Sequence, residues 1–268
     1  MERRDFLKIF SIGAVATISP PILATTSSAD LGQYRAKMTD FGQSYATDAY
    51  IEREKYPVLI SSFRRIDCVQ SHMGHGNFNV LGFDEMLRYG RRYSIVGEFT
   101  QAEEMFLEEI FTTDAKRYGF MGKKVIEELT APIPEKDRKK IGHTGHFLYR
   151  GESERLYKKL QQDLGTGIVL TSGIRSVVKQ THLFLAKSIQ SEGNLSKASR
   201  SLSPPGHSYH GVGDFDVGKT GFGRKNFTQA FAETEEFRKL VDLGYVDIRY
   251  PRDNMLGVRY EPWHIKVV

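Results

Sequence analysis

One cysteine in 268 residues is the first constraint. Cys68 has no partner for an internal disulfide, and a Cys-rich metal site is excluded. Long apolar runs are also missing. The longest, Ile9 to Ile18, is about half the ~20 residues that a membrane-spanning helix needs. Charge of one sign is not in excess: the formal value is +5 and is spread along the chain. No Arg/Lys block with interleaved aromatics is present, so no nucleic-acid partner is expected. There is no internal repeat and no low-complexity tract. What remains is an ordinary globular composition, 40% apolar and 26% charged, in a chain long enough to bury a substantial core.

The first 29 residues read as an address. Arg3-Arg4-Asp5-Phe6-Leu7-Lys8 precede the short apolar run, and Pro20-Pro21-Ile22-Leu23-Ala24 follow it. A basic start, a short apolar centre and small residues beyond describe an export signal, cut between Ala24 and Ala29. The paired arginines resemble the twin-arginine signal, which carries folded proteins across the bacterial inner membrane. The expected location is therefore the periplasm, with the twin-arginine machinery as a transient partner and no membrane span after processing.

Residues 30–150 are expected to form a mainly helical region of unassigned role. Thr100 with Glu103 makes a capping box, and Phe106, Leu107, Ile110, Phe111, Ala115 and Tyr118 recur at helical spacing up to Gly119. Shorter helices are expected at Asp84–Tyr93 and Lys123–Leu129. The pairs His72/His75 and His143/His146 lie among glycines, which favour loops. They are read as loop histidines first, cleft-lining residues second and metal ligands last. Ala131-Pro132-Ile133-Pro134 and the charged run after it read as an exposed connector.

From residue 151 the pattern changes. Ser153–Leu164 reads as a helix, Ile168–Thr171 as a buried strand, and Val177 to Gln190 as a second helix. Between them Ser172-Gly173-Ile174-Arg175-Ser176 sets an arginine at a strand-to-helix turn. Asn194–Gly206 reads as an irregular segment, with Asn194, Ser196 and Arg200 read as solvated loop first and as contacts to a substrate carboxylate second. Phe215–Val217 is expected as a strand, Glu233–Leu243 as a helix, and Tyr245–Ile248 and Gly257–Tyr260 as strands, the last interrupted at Pro262. Short strands and helices without βαβ alternation predict an α+β fold with a small antiparallel sheet.

Chemistry concentrates in two stretches, Ser208-Tyr209-His210-Gly211-Val212-Gly213-Asp214-Phe215-Asp216 and Glu261-Pro262-Trp263-His264. Two histidines and a carboxylate leave one position open on zinc, the pattern of a hydrolytic site. His210 and Asp216 are six apart, natural across a turn into a strand, and His264 closes the site from a separate strand. Glu261 would serve as general base and acid, and Arg175 would offset charge on a carbonyl oxygen. Asp214 competes with Asp216 for the ligand role. Asp216 is favoured because Phe215 and Val217 flank it.

These stretches resemble the zinc D-alanyl-D-alanine carboxypeptidase/dipeptidase family of the vancomycin-resistance type (VanY-like). The likeness rests on Ser208-x-His210-x-x-Gly213, Phe215-Asp216, Glu261-Pro262-Trp263-His264, and Ser172-Gly173-Ile174-Arg175-Ser176 with Gln180. It covers about residues 168–268. It implies a Hedgehog/DD-peptidase-like catalytic domain over 151–268, with small antiparallel sheet and flanking helices. It implies Zn2+ on His210, Asp216 and His264, with Glu261 and Arg175 catalytic. Peptidoglycan stem peptides become the expected substrate, cut next to D-alanine, foremost at a terminal D-Ala-D-Ala bond. An L,D-carboxypeptidase or cross-link endopeptidase is the variant, and a non-catalytic cell-wall binding module the rival of another class. Ser208, Trp263, Ser172 and Gln180 are the candidate substrate contacts. The family usually spaces its first ligand pair and aspartate one residue further apart, and Ile174 stands where it has an aromatic.

Overall fold

The computed structural model describes residues 28–268; the expected export motif at Arg3-Arg4 lies outside them. Helix α1 (Ser28–Thr39) is followed by α2 (Tyr56–Met73), α3 (His75–Phe78), α4 (Phe83–Arg92) and α5 (Gln101–Thr112). A hairpin of β1 (Arg138–Lys140) and β2 (Phe147–Tyr149) comes next, then α6 (Glu152–Leu164), β3 (Ile168–Ser172), α7 (Val177–Gln190) and α8 (Leu195–Ser199). The chain ends with β4 (Phe215–Lys219), α9 (Glu235–Asp242), β5 (Asp247–Tyr250) and β6 (Glu261–Lys266). The larger sheet has the order β3-β4-β6-β5, and every neighbouring pair is antiparallel. This is the expected α+β fold with a mainly helical N-terminal region.

Helix α5 begins as its sequence dictates. The Thr100 hydroxyl accepts from the Glu103 N–H, and the Glu103 carboxylate accepts from the Thr100 N–H at 2.8 Å. The same carboxylate accepts from Arg65 Nε at 2.9 Å, which ties α5 to α2. Helix α2 was not among the expected elements. Its Pro57 sits in the first turn, where no intrahelical N–H is lost, and Leu59, Ile66 and Val69 go fully into the core. His72 therefore belongs to a last helical turn and not to a loop.

Three further expectations are corrected. Residues 123–129 form no helix; the N–H groups of Val125 and Ile126 both donate to the Gly206 carbonyl and not to carbonyls of their own segment. The region 194–206 is not irregular throughout, because Asn194 caps α8 through the Lys197 N–H. Gly257–Tyr260 is loop, and the strand runs instead from Glu261 through Pro262. Proline is tolerated there because the β5–β6 register shifts between Ile248 and Tyr250. Pro262 falls inside that irregularity and owes the ladder no donor.

Two large apolar clusters make most of the core, beside a small third one of Ala115, Phe120, Tyr250 and Val258. One packs β3, β4 and β6 against α6 and α9 through Leu170, Phe215, Val217, Ile265, Tyr157, Leu160 and Leu240. The other joins α2, α4 and α5 to Val178, Phe184 and Leu185 of α7. Helix α7 thus buries one face in the N-terminal helices. Each such large side chain contributes about 1.5–3 kcal/mol of burial. Its residues Gln180, Leu183 and Lys187, spaced i, i+3, i+7, line a cleft shared with the sheet.

Candidate metal centre

Alternation along β4 sends Phe215 and Val217 into the core and Asp216 to the opposite face. Asp216 pairs directly with His264 of β6 on one side and Ser172 of β3 on the other. His210 arrives from a turn before β4. The N–H groups of Val212, Gly213 and Asp214 all donate to the Tyr209 carbonyl, and Gly213 takes a φ of 146° that a side chain would strain.

The structure brings His210, Asp216 and His264 together. One donor atom from each lies within 4.8 Å of the others, and all three residues are buried. His210 Nδ1 is 2.8 Å from the Gly173 carbonyl, which can only accept, so Nδ1 carries the hydrogen. Burial and the nearby Arg175 charge push His210 down to about 4, so the ring is neutral. Its Nε2 lone pair then faces Asp216 Oδ1 at 3.1 Å, two acceptors that a cation between them would satisfy. Gly173 makes this possible because β2 passes against it: any Cβ there would strike the Phe147 carbonyl.

His264 is oriented from the far side. Its Nε2 donates to Asp214 Oδ2 at 3.1 Å, leaving Nδ1 toward Asp216 Oδ1 (3.7 Å) and Glu261 Oε2 (3.4 Å). Burial opposes charge on this ring, yet the bonds to Asp214 and Glu261 outweigh it and push the imidazole up to about 9. Asp214 is itself gripped by Arg249 (2.7 and 3.0 Å) and by the Val267 N–H. Despite burial, the His264 and Arg249 partners hold Asp214 well below the usual carboxylate range. Asp214 therefore stands behind His264, outside the group of three. Each histidine has one nitrogen occupied and the other turned inward, the arrangement a divalent metal asks of its ligands.

Arg175 sits at the expected turn but is not free. Its Nη2 donates to Asp216 Oδ2 at 2.5 Å and its Nε to Ser172 Oγ at 2.9 Å, while Nη1 has no partner among the described residues. Ser208, Ser172, Gln180, Trp263 and Glu261 all line one cleft of about 590 Å³, together with Asp216 and His264, while His210 lies buried behind them. Trp263 is also 2% exposed and packed in the sheet core, so it serves both. The Gln180 amide donates to the Ser203 carbonyl.

Other candidates fall elsewhere. Arg200 forks onto Asp48 at 3.0 and 2.9 Å, Asn194 donates to the same carboxylate, and Ser196 accepts from the Ala49 N–H. These three hold the 45–49 segment and are neither solvated nor offered to a substrate. His72 packs edge-on to Tyr89 and tilted against Tyr93, His182 bonds Asp67, and His207 bonds the Pro205 carbonyl. From the two histidine pairs, His75 and His146 reach the cleft rim. Asn79, Lys179 and Tyr250 line the cleft without having stood out in the sequence. Lys179 alone had a signal, its place beside Gln180.

Residues 150–268 match the family model for VanY, D-alanyl-D-alanine carboxypeptidase. The likeness to that family covers a little under half of the chain. Among solved structures, the LdcB LD-carboxypeptidase is 26% identical over 48% of this chain and 62% of its own, with a TM-score of 0.40. The chain thus spans less than two thirds of that protein. The vancomycin resistance D,D-pentapeptidase VanY in complex with Zn(II) is 22% identical over 51% of this chain and 83% of its own, TM-score 0.38. VanYB in complex with D-alanine-D-alanine is 22% identical over 55% and 85%, TM-score 0.40. No curated protein sequence matches the chain. No helix among the described residues is long and apolar enough to cross a membrane.

Proposed function

We propose that this protein is a zinc-dependent peptidoglycan peptidase that cuts stem peptides next to D-alanine, foremost as a D-alanyl-D-alanine carboxypeptidase. One observation carries the reading: His210 Nε2 and Asp216 Oδ1 face each other as bare acceptors at 3.1 Å, with His264 Nδ1 beside them. His210, Asp216 and His264 are the proposed ligands. Zinc held there would polarise the scissile carbonyl and bring the pKa of a water toward about 7.

The chain's own groups do the rest. Glu261, 7% exposed and opening on the cleft, takes the proton of the attacking water and returns it to the leaving amine. Arg175 holds Asp216 through Nη2 and presents Nη1 to the negative charge that grows on the carbonyl oxygen. Ser208, Ser172, Gln180 and Trp263 shape the cleft around the peptide. Residues 30–150 contribute Phe41, His75 and Asn79 to the same walls. The export signal over residues 1–29 is proposed to deliver the folded enzyme to the periplasm by the twin-arginine route.

The test is digestion of purified muropeptides by the mature, zinc-loaded protein, read by mass spectrometry. Loss of one terminal alanine from pentapeptides is expected. Loss from tetrapeptides, or splitting of cross-linked dimers, would move the cut to the L,D or endopeptidase variant. Binding without any cleavage would replace the enzyme by a cell-wall binding module.

A further inference from the structure

The cleft carries a cation that the peptidase reading leaves without a task. Lys179, in the first turn of α7, lines the cleft next to Gln180. Its ammonium donates to Gln70 Oε1 at 2.7 Å and lies 5.5 Å from the Phe78 ring centre. Among the described residues no carboxylate is within ion-pair distance; the acid that acts on it from further off, Asp67, is bonded to His182. Burial and the neighbouring Arg175 charge push the amine down to about 8, so it keeps its proton at neutral pH in surroundings that disfavour it. A half-hidden charge of this kind is relieved by an anion.

Other donors stand at the same cleft. Among the described residues Arg175 Nη1 has no partner, and the Thr171 hydroxyl is buried without one. A second cationic position lies further along the same helix face at Lys187; Arg259, from the loop before β6, also lines the cleft but lies 3.7 Å from Glu261 and over the Trp263 ring. Eight residues of helix put Lys187 about 12 Å beyond Lys179, at 1.5 Å per residue. An extended peptide covers that distance in roughly three to four residues. A substrate with a single terminal carboxylate would use one of these positions. The cleft offers two.

Resting on the peptidase reading, we propose that Lys179 is a specificity residue that binds an internal carboxylate of the stem peptide, distinct from the terminal one. Gln70 of α2, outside the family-matched region, sets its ammonium in place. The N-terminal helices thereby tune which stem peptide is accepted. Stem peptides offer two such groups, the isoglutamyl carboxylate and, in some walls, the side-chain carboxylate of the diamino acid.

The test uses a synthetic stem pentapeptide with both internal carboxylates free, and two forms in which one or the other is amidated. Binding to full-length, zinc-loaded Glu261→Gln protein is measured by calorimetry, and kcat/KM with wild-type catalytic residues. About tenfold weaker binding of one amidated form is expected, which also tells which carboxylate is read. Lys179→Met should erase that difference by weakening the free acid alone, and Lys179→Arg should retain it. Equal binding of all three peptides would overturn the inference, as would a Lys179→Met effect equal on all three, which points to the terminal carboxylate or to folding. Acid-over-amide discrimination with no turnover would sink the peptidase reading and leave this one standing.

Discussion

Asp214 and Asp216 are separated by one residue and by what their removal should cost. Asp216 is proposed on the metal; Asp214 reaches it only through His264. Zinc bound by about four ligands releases ~10–16 kcal/mol, so one ligand is worth roughly 3–4 kcal/mol, or about two to three powers of ten in affinity. Asp216→Asn should lose that much. Asp214→Asn keeps an oxygen that accepts the His264 Nε2–H, so it should fall at the low end of the 10–100-fold typical of such supporting partners. Asp214→Asn should cost stability as well. The Arg249 guanidinium that forks onto Asp214 has a side chain only 9% exposed and lies 3.8 Å over the Tyr209 ring. Stripping a buried ion of its partner costs about 3–5 kcal/mol, or roughly 6–20 °C of Tm for a domain of this size. Zinc affinity by competition with a chromogenic chelator, and Tm of the metal-free variants, supply both readings. If Asp214→Asn loses more zinc affinity than Asp216→Asn, the ligand assignment is wrong.

Three further outcomes follow from the same geometry. Glu261→Gln should keep its zinc but lose about 10²–10⁴-fold in kcat, because an amide takes no proton; near-normal turnover would remove Glu261 as the base. Phe184→Ala should cost about 3–5 kcal/mol by urea unfolding, since that ring is fully buried where α7 meets the N-terminal helices; a loss under ~1 kcal/mol would mean that junction is loose. Asp48 is the pH probe. Burial alone would raise its pKa, but Arg200, Asn194 and the Tyr45 N–H hold the carboxyl below its ordinary value. Its contribution to stability is therefore full above about pH 4, the unfolded value, and is lost as pH falls through the lower folded one. The Tm gap between wild type and Asp48→Asn should be wide at pH 7 and narrow toward pH 3; a constant gap would refute the ion-pair account.

How much of this was legible in the sequence depended on whether the cause was local. The α5 cap, the α7 limits and the alternation that turns Asp216 away from Phe215 and Val217 are written within a few residues of each position. Helix α2 was less visible. Its buried stripe has Ser62 and Gln70 among the apolar residues, and these go inside because α5 and α7 pack there. The choice between Asp214 and Asp216 could be leaned on by flanking residues, but its physical cause is remote. Arg249 and the Val267 N–H, which claim Asp214, lie 35 and 53 residues away. The same holds for Arg200, whose bidentate partner Asp48 is 152 residues off. No spacing rule reports a contact of that range.

The N-terminal helices are therefore more than a neighbour to the matched domain. Helix α7 has one face in their core and another in the cleft, so a shift of α2 moves Gln180 and Lys179 with it. Asn79 extends this coupling, since its carbonyl accepts from the Ser176 N–H at 2.8 Å, one residue from Arg175, while its amide donates to His146. The arginine that braces Asp216 is thus anchored through the backbone of a segment outside residues 150–268. A chain cut at residue 150 would keep all three metal-group residues and Glu261, yet lose the Asn79 contact beside Arg175, the Gln70 bond to Lys179 and the helices packed on α7. On these contacts, isolated residues 150–268 should expose the α7 face of Val178, Phe184 and Leu185. They should then bind a hydrophobic dye and hold zinc more weakly than the mature protein; a fragment that matches it in zinc affinity and fluorescence would show that the coupling is not needed.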